Sequence, residues 1–299
     1  MPHATNGEIS LCYEDHGNPN GPPLLLIPGL GMQLIDWPDH FLEHLETDYR
    51  VIRVDNRDRG LSTVLDGAPA DAGALMGALL AGQEPEVAYT LPDMAKDAVA
   101  VLDECGVESA HVVGISMGGM IAQTVAIEHQ DRVRSLTSIM STTGAADVGQ
   151  PSAAALTAIL SAPTDPSREA NIANGVESIR VWASPEFYDE IDMAESLGRS
   201  WDRVGGAQAE GTARQLCAII ATPARDDALA ELDLPSAVLH GTEDKLIDPS
   251  GGERTAKCIP GAELLLLEGM GHDMPKEMTG RIASTIRDLV DAAEAGQEE

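Results

Sequence analysis

The sequence predicts an α/β fold: a mostly parallel central sheet with helices on both faces, whose strand and helix alternation is interrupted after the sixth strand by a helical segment. Three observations carry that expectation. Short apolar runs recur along the chain and are mostly continuous, as strands covered on both faces require. Helical patterns lie between them, so successive strands run parallel and join by right-handed crossovers. From Ser141 to about Ala230 no strand-like run occurs, and the apolar runs resume near Leu234.

The elements follow in order. Asn6-Gly7 is a two-residue hairpin signal, and the alternation of Ile9, Leu11 and Tyr13 suits a half-buried antiparallel edge strand. Continuous runs at 24–27, 51–54, 111–114, 136–139, 237–239 and 264–267 read as doubly covered strands. Thr90 to Asp93 reads as a helix cap, Met94, Ala98, Val101 and Leu102 form an apolar stripe, and Gly106 stops the helix. Further helices are expected at about 117–128 and 278–293, with the acidic tail after Ala292 frayed. In the interruption, 153–160 and 209–220 are helix-compatible and are separated by Pro163, Pro166, Pro185 and Pro223. The chain thus divides into a first core part, 1–140, a helical cap, 141–230, and a second core part, 231–299.

Composition narrows the partners. A chain of 299 residues, 43% hydrophobic, is long enough for one sizeable core. Its 49 acidic residues against 19 basic ones give a net charge of −30, which repels nucleic-acid phosphates and anionic lipid. Neither nucleic acid nor a membrane is an expected partner. The ordinary apolar fraction, with 29 Gly and 18 Pro spread along the chain, makes the acidity a solvated surface and not disorder. Cys12, Cys105, Cys217 and Cys258 lie far apart with no C-x-x-C pair, so no zinc set or disulfide framework is expected. The N-terminal stretch from Met1 to Glu8 has neither a basic start nor an apolar run, and the expected location is the cytoplasm, as a monomer or homodimer.

The chemistry concentrates at Gly114-Ile-Ser116-Met-Gly118, a G-x-S-x-G placed after an apolar strand and before a helix-forming run. A serine on so sharp a turn occupies strained backbone, and small residues on either side are needed where side chains would clash. The turn lifts the hydroxyl above the sheet and aims helix N-terminal amides at a developing oxyanion. A Gly-rich turn that merely packs a helix on a strand has the same composition; the strand before and the helix after favour a nucleophile.

A serine hydroxyl needs a base. Of the eight histidines, His272 stands in a turn-rich segment, Gly269 to Pro275, just past the last strand. His111 and His240 belong to strand runs and are expected in the core or on the sheet surface, and His3, His16 and His129 on the exterior. The imidazole in turn needs a carboxylate on its far nitrogen. Asp244, directly after the strand at 237–239, leads over Asp248, whose Asp-Pro context suits a turn or helix start, and over Glu243. The oxyanion donors are expected to be the backbone amides of Met117 and of Leu30, in the loop Pro28-Gly29-Leu30-Gly31.

With these residues in order Ser116, Asp244, His272, the chain resembles the α/β-hydrolase-fold serine esterases, over about 1–140 and 230–299. Within them, the run Asp55-Asn-Arg57-Asp-Arg-Gly60-Leu-Ser62-Thr63 is similar to the D-x-R-D-x-G-x-S-T run of the anthracycline methylesterase group. Asp55 and Arg57 read as a structural ion pair organising the turn. Many relatives carry His where Pro28 stands, so support of the oxyanion loop is altered. The resemblance implies hydrolysis of small to medium carboxylic esters through an acyl-enzyme, with no cofactor and no metal. It leaves open a carbon–carbon bond hydrolase or a cofactor-free haloperoxidase or perhydrolase on the same residues. A non-catalytic ligand receptor and a nicotinamide oxidoreductase are readings from other classes; an elbow Asp, as in dehalogenases and epoxide hydrolases, is absent.

Substrate contacts are expected from Gly29, Met32, Trp37, Trp182, Trp201 and Met274, although core filling explains the methionines and tryptophans as well. His40-Phe-Leu-Glu43-His44 fits an inverted zinc-protease spacing. An amphipathic helix with Phe41, Leu42 and Leu45 inward accounts for it without metal.

Overall fold

A computed structural model describes residues 1–84 and 86–297. The sheet contains β1 (His3–Asn6), β2 (Ile9–Gly17), β3 (Pro23–Ile27), β4 (Arg50–Val54), β5 (Ala110–Ile115), β6 (Val133–Ile139), β7 (Ser236–Gly241) and β8 (Glu263–Leu267). Its spatial order is β1-β2-β4-β3-β5-β6-β7-β8. The hairpin β1/β2 and the pair β2/β4 are antiparallel, and every pair from β4 to β8 is parallel. The helices are α1 (Asp39–Leu42), α2 (Ala72–Leu80), α3 (Leu91–Glu104), α4 (Met117–Glu128), α5 (Ala153–Ile159), α6 (Arg168–Arg180), α7 (Glu190–Val204), α8 (Ala209–Ala221), α9 (Asp226–Leu229), α10 (Ser250–Cys258) and α11 (Lys276–Gln297).

The pleat explains why continuous apolar strands are needed. Leu25 and Ile27 of β3 face a core shared with Leu91, Met94 and Ala98 of α3 and with α4. Leu24 and Leu26 face the opposite core, with Phe41, Leu45 and Ile282, Ile286 and Val290 of α11. Each strand residue therefore serves one of two apolar layers. Phe41, Leu42 and Leu45 are all buried, the inward face expected of the His40 to His44 run. No three His, Cys, Asp or Glu side chains are grouped to hold a metal ion among the described residues, and no described helix is long and apolar enough to cross a membrane.

Three sequence expectations change. The run at 264–267 is an edge strand and not doubly covered: Leu264 and Leu266 are 42% and 39% exposed, while Leu267 joins the core. The chain does not fray after Ala292, because α11 continues to Gln297; residues 298 and 299 lie outside the described residues. Asp55 and Arg57 are not paired with each other. Arg57 binds Asp97 of α3 through Nε at 2.5 Å and Nη2 at 2.7 Å, whereas Asp55 pairs with Arg203 of α7 at 2.8 Å. The run after β4 thus reaches outward in both directions and fixes α3 on one side and the helices between β6 and β7 on the other.

Those helices, α5 to α9, add Ala218 and Leu229 to the core beside β3 and β5 and are joined to the sheet's C-terminal edge by polar contacts as well. Arg214 of α8 forks onto Asp58 with two bonds of 2.9 Å, and both side chains are fully buried. Gln33 Nε2 donates to the Ser200 carbonyl at 2.7 Å, and the Gln208 amide exchanges two bonds with the Gly60 backbone. A desolvated pair of this kind gains little over apolar packing but is costly to break from one side. Arg214→Leu is therefore expected to destabilise the fold by about 3–5 kcal/mol in urea unfolding, and the double change with Asp58→Leu by less than the two single changes summed.

Candidate active site

The strand β5 runs into α4 through Ser116, which has φ 56° and ψ −121°, a left-handed conformation for a residue with a side chain. Such a position costs about 1–3 kcal/mol and persists only where its surroundings impose it. Here the peptide is held on both sides. Ser116 N donates to the Ile139 carbonyl at 2.8 Å, and its own carbonyl accepts from Ser141 Oγ at 2.8 Å and Gly119 N at 2.9 Å. The flanking glycines are required by contact: a Cβ on Gly114 would lie 2.0 Å from the Gly118 carbonyl oxygen, and one on Gly118 would lie 2.0 Å from that of Ile27.

The C-terminal ends of β7 and β8 bring in the other two groups. His272 Nε2 lies 2.9 Å from Ser116 Oγ, and His272 Nδ1 lies 2.6 Å from Asp244 Oδ2. The Asp244 side chain is fully buried and that of His272 is 8% exposed. Burial alone would push the Asp244 carboxyl up, but the charge of His272 and hydrogen bonds from His240 and His272 outweigh it and hold the group well below the usual carboxylate range. A carboxylate can only accept, so Nδ1 donates to it, and Nε2 is left as an acceptor for the serine proton. Asp244 Oδ1 accepts from the Leu246 and Ile247 amides, both at 2.9 Å. Its rivals are elsewhere: Asp248 accepts from Ser250 N and Oγ at the start of α10, and Glu243 is exposed.

The donor loop lies against the serine. A Cβ on Gly29 would meet Met32 Sδ at 3.0 Å and Ser116 Cβ at 3.3 Å, so Gly29 borders the serine and Met32 packs on Gly29. Neither the Leu30 nor the Met117 amide has an acceptor among the described residues, which leaves both free to donate. Trp182 approaches through its backbone: its carbonyl accepts from His272 N at 2.7 Å. Trp37 is not a substrate-wall residue, because it is 1% exposed and stacks on Phe41 with ring centroids 5.6 Å apart. Met274 packs in that same core. Trp201 is half-buried on α7.

Several contributors are invisible in the local motifs. Ser184, between α6 and α7, accepts from Gly271 N through Oγ at 2.9 Å and donates from its own N to Asp273 Oδ1 at 2.9 Å. Burial pushes the Asp273 carboxyl up. His240 is buried, as its strand context implies, yet its Nε2 also lies 3.3 Å from Asp244 Oδ2 while bonding the Ile247 carbonyl at 2.8 Å. At the other end of β5, His111 Nδ1 lies 2.8 Å from Ser135 Oγ and its Nε2 3.1 Å from Glu294 Oε1. Burial drives this imidazole down to about 4.

Comparison with known proteins follows this geometry. The alpha/beta hydrolase fold family matches residues 22–277. The chain belongs to this family. It is 29% identical to the rhodomycin D methylesterase DauP of Streptomyces sp. (strain C5), over 94% of this chain and 95% of that protein. The rhodomycin D methylesterase DnrP of Streptomyces peucetius is also 29% identical, again over 94% and 95%. Among solved structures, the meta-cleavage product hydrolase CumD of Pseudomonas fluorescens IP01 superposes with a TM-score of 0.74 at 19% identity, covering 98% of each chain. The hydrolase fold is thus shared along essentially the whole length.

The depressed Asp244 ionisation gives a stability prediction. Because the folded group lies below its ordinary 3.8, its contribution is complete above that value and is lost as pH falls through the folded pKa. Asp244→Asn is expected to flatten the acid limb of stability below about pH 4 relative to the parent, measured by urea unfolding at a series of pH values.

Proposed function

We propose that the protein hydrolyses carboxylic esters through an acyl-enzyme on Ser116, with residues 141–230 acting as a cap over the site. The observation that carries the reading is the hydrogen-bonded row from Ser116 Oγ to His272 to Asp244, at 2.9 and 2.6 Å, on a strained strand-to-helix turn. His272 takes the Ser116 proton as Oγ attacks the ester carbonyl, and Asp244 stabilises the imidazolium that forms. The Leu30 and Met117 amides hold the oxyanion. Collapse of the tetrahedral intermediate passes the proton from His272 to the leaving alcohol. Water then adds to the acyl carbonyl as it gives a proton to His272, and collapse of this second intermediate breaks the bond to Ser116 Oγ, which takes the proton back from His272 as the acid leaves. The full-length likeness to two methylesterases supports an ester as the substrate and makes methyl esters of larger acids a class to assay beside small to medium acyl esters.

The test is turnover of p-nitrophenyl esters of increasing chain length and of methyl esters, with vinylogous diketones and peracid formation as comparison reactions. Ester turnover is expected to exceed both. Ser116→Ala is expected to abolish labelling by an organophosphate and to lower kcat by about 10⁴-fold or more. A variant that labels and turns over like the parent overturns the nucleophile, and a diketone preference overturns the ester.

A further inference from the structure

The Leu30 amide belongs to a loop that lacks the histidine many relatives place before its glycine, and Pro28 in that position has no side-chain donor. Two other residues hold the loop, one at each end. Asn56, buried after β4, donates from Nδ2 to the Pro28 carbonyl at 3.0 Å. Gln215, fully buried on α8, accepts through Oε1 from Gly31 N at 3.0 Å and donates through Nε2 to the Arg57 carbonyl at 2.8 Å.

The geometry has a specific consequence for the donor. A peptide is planar, so a bond to its carbonyl or to its N–H orients the whole unit. Asn56 fixes the Pro28–Gly29 peptide, and Gln215 fixes the Leu30–Gly31 peptide. The unit between them, Gly29–Leu30, carries the Leu30 N–H; its own carbonyl accepts from Met32 N at 3.2 Å, a turn bond within the loop, and the peptides on either side of it are the ones that Asn56 and Gln215 hold to the rest of the protein. Gly31 has φ +71°, the turn that aims its amide at α8, and Thr212 of the same helix packs 3.3 Å from where its Cβ would be. The bond from Gln215 to the Arg57 carbonyl links the clamp to the β4 loop that also carries Asn56.

We propose that Asn56 and Gln215 are positioning residues that together aim the Leu30 amide at the oxyanion, so that a helix between β6 and β7 completes the donor pair. This deepens the esterase reading and rests on it. An oxyanion donor acts only when preset to the position the charge will occupy, and a displacement near 1 Å removes much of the effect. Loosening the clamp therefore lowers kcat and leaves ground-state binding nearly unchanged.

The experiment compares the parent with Gln215→Leu and Asn56→Leu on p-nitrophenyl acetate and on its thiono analogue, in which sulfur replaces the carbonyl oxygen. Organophosphate labelling of the parent comes first, and a parent that neither labels nor turns over overturns the esterase reading itself. In a labelled parent, each variant is expected to lose about 10- to 100-fold in kcat on the oxygen ester with KM within about twofold. The oxygen-to-thiono rate ratio is expected to shrink, a change that a general loss of stability does not produce. Thermal unfolding identifies the folded variants, and either one alone suffices. A folded variant that keeps the parent's kcat, or that loses both esters equally, overturns the clamp.

Discussion

The carbonyl oxygens of Ile27 and Gly118 occupy the space in which side chains on Gly118 and Gly114 would have to begin. Through those contacts α4 is pressed against the ends of β3 and β5 more closely than any other residue type allows, and the turn between β5 and α4 has no relaxed path. Ser116 takes the left-handed conformation because the backbone on both sides leaves no alternative. The hydroxyl is raised above the sheet edge, the first amide of α4 is uncommitted, and the loop after β3 is near enough to supply another. The positions of the Ser116 hydroxyl and of the nearby amides and the packing of α4 are therefore one steric arrangement.

The rest of the site is assembled from above that edge. His272 N is bonded to the Trp182 carbonyl and Gly271 N to Ser184 Oγ, while Gly31 N is bonded to Gln215. The His272 loop and the Pro28–Gly31 loop are thus each attached to the helices between β6 and β7, and those helices are attached to the β4 loop by the buried Asp58–Arg214 pair and by Arg203, half-buried, on the buried Asp55. Charges taken out of water tolerate little misplacement. They fix the register of the helices over the sheet in a way that sliding apolar faces do not, and the short polar reaches to Gly31, Gly271 and His272 depend on that register.

What was legible in the sequence is what is local. Gly114 to Gly118, with an apolar strand before and a helix after, states its own turn, and the end of β7 places Asp244 within a few residues of the strand that carries it. His272 was singled out by its turn-rich loop after the last strand. What the sequence hides best is partners far away in the chain. Asp55 and Arg57 stand two apart and suggest a pair, but their partners are 148 positions ahead at Arg203 and 40 ahead at Asp97. Gln215 sits in a helix pattern that nothing local distinguishes, and its contacts lie 158 and 184 positions back.

The row formed by Ser135, His111 and Glu294 repeats the hydroxyl, imidazole and carboxylate of Ser116, His272 and Asp244 at the opposite end of β5, with separations of 2.8 and 3.1 Å. Ser135 and His111 are register partners in the parallel β5/β6 ladder, next to a register shift at Ala110/His111, and each is 1% exposed. Burial inside the ladder keeps this hydroxyl from solvent. A search for hydroxyl, imidazole and carboxylate in sequence would retrieve both rows and rank them alike. Main-chain posture and access separate the two rows: Ser116 stands half-buried on a left-handed turn, whereas Ser135 is buried within a strand.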